Sequence, residues 1–76
     1  MRKRLSEFKI GESGTVVSVD CDPSVIRRLN DMGVFPGVEV KLVRFAPMGD
    51  PMQIEIRGYM LALRKKEAYN IIVEVK

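Results

Sequence analysis

The sequence predicts a small, mainly β domain in which five short strands, one medium helix and one short helix form a strongly bent sheet or barrel. Apolar residues recur at every second position on both sides of the segment Ala46–Pro51, which is typical of two half-buried antiparallel strands. The pair Asp22-Pro23 precedes apolar residues at helical spacing. Period-2 alternation returns near the end of the chain, so strands dominate the prediction.

The first predicted strand is Thr15–Val19, which is rich in β-branched residues. Gly11 and Gly14 bracket a turn before it. Within the strand, Val17 and Val19 share one face, which we expect to point into the core.

The residues before this strand are mixed and charged. Leu5, Phe8 and Ile10 are the apolar anchors, and we expect Phe8 and Ile10 to lie along the edge of the domain. Arg2–Arg4 is expected to be a solvated tail.

A helix is predicted from Pro23 to Met32. Asp22 at the N-cap is expected to accept hydrogen bonds from the first free backbone amides, and Pro23 at the first helical position sacrifices no needed donor. Gly33 supplies the left-handed residue that ends many helices. The apolar stripe that packs on the sheet contains Val25, Ile26, Leu29 and Met32.

The central hairpin consists of two alternating strands joined by Ala46–Pro51. Pro47 and Pro51 cannot donate to a strand ladder, so the strands should stop at this loop. Met48 is left at its tip, where it either folds back on the barrel rim or contacts a partner. The core-facing residues are predicted to be Val38, Val40, Leu42, Met52, Ile54 and Ile56.

Gly58 predicts a tight reversal into the strand Tyr59–Leu63, in which Tyr59 is expected to lie in the core. The segment Arg64–Tyr69 holds good helix formers but is short, which predicts a short helix or 3₁₀ segment. A last strand, 71–75, alternates again and could close the sheet by pairing with the first.

Length and composition limit the function classes. We expect the 76 residues to form a single domain with its core over about 8–75. Cys21 is the only cysteine, which excludes an internal disulfide and suits the cytosol. Glu7 and Lys9 interrupt the start where a signal peptide would need an apolar run, so we expect neither a leader nor membrane insertion.

The sequence offers no catalytic set, and we expect no enzyme and no cofactor. Histidine is absent, which removes the usual general base and metal ligand. Cys21 lies between Asp20 and Asp22, whose charges disfavour a thiolate. A weak metal site at these three residues stays open as an alternative, but consecutive residues of an extended segment point in alternating directions, so we assign no metal site.

Nucleic-acid binding is not expected either. The net charge of +3 is mild, and nucleic-acid-binding barrels place aromatic side chains in a basic groove for bases to stack on. Here the aromatic residues are few and scattered. The residues alone therefore indicate a small cytosolic interaction module.

Three motifs carry a family resemblance. They are Leu29-x-x-Met32-Gly33-x-x-Pro36-Gly37-x-x-Val40, Ala46-Pro47-x-Gly49-Asp50-Pro51 and Arg57-Gly58-Tyr59-x-Leu61-Ala62-Leu63-Arg64-x-x-Glu67-Ala68. In this order and spacing they resemble the FeoA family, from about Ser13 to Val75. Met32 stands where leucine is more usual, and Met60 where a polar or basic residue is frequent.

The resemblance implies a five-stranded SH3-like barrel with a helix inserted after the first strand. It also implies a small cytoplasmic partner of FeoB, the membrane ferrous-iron transporter that carries a cytosolic GTP-binding domain. A related SH3-like domain forms the C-terminal part of some metal-dependent repressors. The alternative function is therefore a free-standing contact domain of such a regulator system.

If the chain docks on the transporter, we expect the hairpin loop and outward-facing arginines to form the contact. The predicted partner-binding residues are Pro47, Met48, Gly49, Asp50, Arg27, Arg28, Arg44 and Arg64.

Overall fold

The computed structural model describes all residues 1–76 and contains six strands and two helices. The strands are β1 (Arg2–Arg4), β2 (Ser13–Val19), β3 (Glu39–Phe45), β4 (Met52–Ile56), β5 (Tyr59–Leu63) and β6 (Ile71–Val75), and the helices are α1 (Pro23–Asp31) and α2 (Lys65–Ala68). All strand pairs are antiparallel, in the order β1-β6-β2-β3-β4-β5. The mainly β class is as predicted, and β6 pairs with β2 as expected. β1 and β5 are not hydrogen-bonded to each other, so the sheet has two edges.

The core consists of fifteen buried apolar residues and no buried polar side chain. The central hairpin supplies its middle, because every predicted core position of β3 and β4 is buried. Leu5 is fully buried and extends the core beyond the predicted lower limit at residue 8. Neither helix has the length and apolar composition that a membrane-spanning helix requires.

The N-terminal segment departs from the prediction. Arg2–Arg4 is not a solvated tail but a strand that pairs with β6, and Arg2 lies opposite Glu74. A 3₁₀ turn over Leu5–Glu7 follows, and it carries Leu5 into the core. Phe8 is also buried rather than at the domain edge, whereas Ile10 is exposed as expected. An ordered β1 is what brings Leu5 and Phe8 onto the sheet.

A bulge in β2 changes which valines face the core. The β2–β6 register shifts between Val16 and Ser18, so Val17 is the extra residue and the alternation changes phase across it. The prediction that Val17 faces inward is therefore wrong. Val16 is buried, and Val19 packs partly against the core. Gly14 lies inside β2 rather than in a turn, and a Cβ there would collide with the backbone carbonyl of Glu74.

Helix α1 ends one residue before the predicted boundary, at Asp31. Gly33 follows the helix in the left-handed conformation, at φ +95°, as predicted. The Val34 N–H donates to the Leu29 carbonyl at 2.8 Å and the Gly33 N–H to the Asn30 carbonyl at 3.0 Å, the pattern of a Schellman motif. At the other end, Asp22 occupies the N-cap, but its side chain makes no capping hydrogen bond, contrary to the prediction.

β5 is exposed more than its composition predicts. Tyr59 is not in the core: 44% of it is exposed, and its hydroxyl donates to the Met32 carbonyl. Leu61 is half-buried, and only Leu63 is fully buried. β5 pairs with β4 alone, so no further strand covers its outer side.

Candidate partner-binding site

The hairpin loop is held in shape by its own backbone. The Gly49 N–H donates to the Ala46 carbonyl at 2.7 Å, and the Ala46 N–H donates to the Pro51 carbonyl at 2.9 Å. Gly49 takes a φ of +87°, which glycine adopts without strain. This geometry projects Met48 outward, with 92% of the residue exposed. Met48 therefore does not fold back on the rim, and its contact with a partner stays a prediction.

Asp50 fastens the loop to helix α2. Its Oδ1 accepts a hydrogen bond from the Lys65 backbone N–H at 2.9 Å. The Lys65 ammonium lies 5.0 Å from the centre of the Phe45 ring, at the end of β3. The loop and the first turn of α2 therefore form one connected surface, and Asp50 has a structural role within it.

A groove of about 990 Å³ lies beside α2. It is lined by residues from the β2–α1 connection, from α1 and from α2: Asp20, Cys21, Asp22, Ser24, Val25, Arg28, Arg64, Lys66, Glu67 and Asn70. Arg28 and Arg64 are the two predicted arginines that the fold brings together here. Arg27 and Arg44 do not line this groove.

Glu67 organises the basic side of the groove. Its carboxylate forms an ion pair with the Arg28 guanidinium, and its Oε1 accepts from the Arg64 backbone N–H at 3.1 Å. Only 11% of the Glu67 side chain is exposed, against 58% for Arg28. Arg28 is therefore partly neutralised, whereas Arg64 makes no ion pair and keeps its full charge toward the groove.

The remaining predicted arginines lie on other elements. The Arg44 Nε donates to Gln53 Oε1 at 2.5 Å across the β3–β4 pair. Arg27 is exposed on α1 and makes no ion pair. The predicted surface thus divides into the loop with α2, the groove with Arg28 and Arg64, and two separate arginines.

Cys21 is a half-buried free thiol at the edge of the groove. Burial raises the pKa of Cys21; a hydrogen bond with Asn70 opposes this rise, and the charges of Asp20 and Asp22 add to it. The thiol is therefore the dominant form at neutral pH. Asp20, Cys21 and Asp22 do not form a ligand cluster, and no three Cys, Asp or Glu side chains in the chain converge into a group that could hold a metal ion.

Sequence reasoning missed Glu67, Lys66 and Asn70 as groove residues. Glu67 could have been found, because a glutamate three residues after a helix N-cap commonly accepts the N-cap N–H. Lys66 and Asn70 carry no such signal, since their place depends on how α2 packs beside the β2–α1 connection.

The comparisons with known proteins agree on one family. The sequence-family model of the FeoA domain matches residues 3–75 of this chain. A fusion of Fe(2+) transport protein A with the Fe(2+) transporter FeoB from Porphyromonas gingivalis is 33% identical over 72 residues, which cover 95% of this chain and 8% of the fusion protein. The chain therefore spans less than a tenth of that relative's length.

Solved structures show the same fold. FeoA from Chlorobium tepidum is 42% identical, with a TM-score of 0.85 over 96% of this chain and 68% of that one. A zinc complex of FeoA from Stenotrophomonas maltophilia, described as a prokaryotic SH3 domain protein, is 32% identical, with a TM-score of 0.79 over 95% of this chain and 89% of that one. The predicted SH3-like fold is thereby confirmed, with a sixth strand, β1, added at the sheet edge.

A manganese-dependent transcriptional repressor in complex with manganese also shares the fold. Its TM-score is 0.90 over 99% of this chain and 37% of that one, but the identity is 21%. At this identity the likeness shows the fold alone and does not favour the regulator alternative.

Proposed function

The chain belongs to the FeoA family, whose members act in ferrous iron transport, and we propose that it is a cytoplasmic accessory or regulatory protein that binds the cytosolic side of a FeoB-type transporter. Within the transporter, the proposed contact is the GTP-binding region. The role is non-enzymatic and needs no cofactor.

The fusion protein is the observation that carries this proposal. In it, a segment 33% identical to this chain is part of the same polypeptide as the transporter. Covalent linkage raises the effective concentration of two binding modules and favours their contact. A free chain of the same family would make that contact between separate molecules.

The loop and α2 surface has features that suit docking. Met48 presents an exposed, adaptable apolar side chain on a loop that backbone hydrogen bonds hold in place. Arg64, the residue directly before α2, is exposed and makes no ion pair. We therefore propose that Pro47, Met48 and Gly49 form the contact, that Asp50 holds the loop on α2, and that Arg64, at the start of α2, contributes a positive charge to it.

A transport assay tests this function. The FeoB-type transporter from the same organism is reconstituted in lipid vesicles, and uptake of radiolabelled ferrous iron is measured with and without the purified chain. We expect the chain to change the initial uptake rate in a saturable manner. If the uptake rate stays unchanged at the highest concentration of the purified chain, with guanine nucleotide present, the proposal is contradicted.

A further inference from the structure

The outer edge of β5 is an open strand edge. The turn before it contains Arg57 and Gly58 with φ values of 50° and 89°, as in a two-residue type I′ hairpin. In such a turn Ile56 and Tyr59 exchange backbone hydrogen bonds. Because hydrogen-bonded and non-hydrogen-bonded pairs alternate along an antiparallel ladder, Leu61 also hydrogen-bonds to its partner Ile54 on β4. Met60 and Ala62 therefore direct their N–H and C=O groups away from β4, where the sheet ends.

The side chains on this edge are unusually apolar. β5 reads Tyr59-Met60-Leu61-Ala62-Leu63, with no charged residue and no proline. Met60 is 51% exposed and Ala62 is exposed as well. Proteins normally protect a sheet edge with charges, and the opposite edge, β1, consists of three basic residues. β5 lacks that protection.

Positive charges flank the apolar edge at both ends. Arg57 precedes β5, and Arg64 and Lys66 follow it. None of the three makes an ion pair. Glu55, opposite Met60 on β4, is the one acidic residue of the β4–β5 hairpin. The edge is therefore complementary to a segment that is uncharged in its middle and acidic at its ends.

A second copy of this chain fits the edge poorly. Consider an antiparallel β5–β5 pair in which the free backbone groups of Met60 bond to those of Ala62 in the other copy. In this register the Leu61 residues of the two copies lie opposite each other. The same register places Arg64 opposite Gly58 and Lys65 opposite Arg57 of the other copy. Cations would then be neighbours at both ends of the pair, and like charges directly opposite each other are destabilising.

We infer that β5 is a docking edge for an extended segment of another protein, which adds as a seventh strand and carries an acidic residue at each end. Backbone hydrogen bonds to Met60 and Ala62 supply the attachment, and the flanking cations select the sequence. Because both ends of β5 are basic, the charge match holds for a parallel or an antiparallel segment. This inference does not depend on the transporter being the partner.

A synthetic peptide of alternating valine and threonine with a glutamate at each end is the probe. Hydrogen exchange of the ¹⁵N-labelled chain is followed by NMR as peptide is added. We expect exchange to slow at Met60 and Ala62, whereas the Leu61 amide, already bonded to β4, stays unchanged. A peptide with lysine at both ends should bind at least about tenfold more weakly, since attractive ion pairs become repulsive.

Two variants with the same charge change provide the matched control. Met60→Glu places a carboxylate on the edge, whereas Ile10→Glu makes the same change at an apolar residue outside β5 that is 64% exposed. We expect Met60→Glu to lose about tenfold or more in peptide affinity, because its charge repels the glutamates of the peptide, and Ile10→Glu to keep it. Thermal melts of both variants check that the fold is intact.

Other outcomes would overturn the inference. Unchanged exchange at Met60 and Ala62 at millimolar peptide would show that the edge does not accept a strand. Equal affinity for the lysine-ended peptide would remove the charge selection. Protection of these amides that grows with protein concentration alone would identify a second copy as the occupant.

Discussion

β4 and β5 are the two strands of one hairpin, yet the more apolar strand is the less buried one. β4 has three apolar residues, Met52, Ile54 and Ile56, and all are fully buried. β5 has five apolar residues, of which only Leu63 is fully buried. The difference arises because β4 has a neighbour on each side and β5 has one. The excess of apolar residues in β5 is therefore not explained by the core and points to an interaction.

The largest effect is expected from Ile54→Ala on the buried strand. Ile54 is 0% exposed in the middle of the core, and removing such a side chain costs about 2–5 kcal/mol. A domain this small has only about 3–5 kcal/mol from its core, so we expect a largely unfolded protein. A urea titration followed by circular dichroism measures this. A midpoint equal to that of the parent chain would place Ile54 outside the core.

Leu61→Ala on β5 is the matched substitution, because Leu61 lies directly opposite Ile54. Leu61 is only half-buried, so the loss should be smaller, about 1–2 kcal/mol. The variant is expected to stay folded with a lower urea midpoint. A loss equal to that of Ile54→Ala would show that the two strands contribute equally, and the contrast between them would fail.

At the opposite sheet edge, ion pairs of Glu74 with the N-terminal amine and with Arg2 hold β1 on β6. The pH dependence of stability tests their contribution. Glu74 Oε2 accepts from the N-terminal amine at 2.6 Å and Oε1 from Arg2 Nε at 3.2 Å. The hydrogen bond with the N-terminal amine, followed by that with Arg2, lowers the pKa of Glu74 below its ordinary value of 4.5. This stabilisation is therefore fully present above about pH 4.5 and is lost as the pH falls toward the folded-state pKa.

Glu74→Gln checks this contribution. Melting temperatures of the parent chain and the variant should differ above pH 4.5 and converge in more acidic buffer. The difference is expected to be small and to shrink with added salt, because the Glu74 side chain is 47% exposed. A difference that widens on acidification would contradict the assigned pKa direction.

The smallest effect on stability is expected at Met48, at the loop tip. Met48→Ala should change the free energy of unfolding by about 0.5 kcal/mol or less, because the side chain is 92% exposed. Binding to the cytosolic region of the transporter should weaken by about 1 kcal/mol or more if Met48 is a contact residue. Ile10→Ala, another exposed apolar truncation, is the control and should leave both quantities unchanged.

Alternation predicted the central hairpin well because both its strands face one core. Val40, Leu42, Ile54 and Ile56 are buried where period 2 places them. The helix was predictable from Pro23 and Gly33, since each satisfies a local backbone requirement. These signals are local and need no knowledge of the neighbouring strands.

The wrong predictions concern residues whose position depends on neighbouring strands rather than on the local sequence. Tyr59 fits the apolar alternation, but no strand covers the outer side of β5. Arg2–Arg4 reads as a tail because its strand character depends on pairing with β6, at the far end of the sequence. Val17 fits the period-2 pattern of the sequence, but the bulge in β2 shifts the phase of the alternation, so Val17 does not face the core. The groove residues Lys66 and Asn70 likewise depend on tertiary packing.

The most direct measurement is an NMR titration of the ¹⁵N-labelled chain with the cytosolic region of the FeoB-type transporter, with and without guanine nucleotide. We predict amide shifts on Ala46–Pro51 and at the start of α2, and shifts at Met60 and Ala62 would report the strand edge separately. No shifts with this region, and none with the full-length transporter in nanodiscs, would contradict the proposal that this chain docks on the transporter.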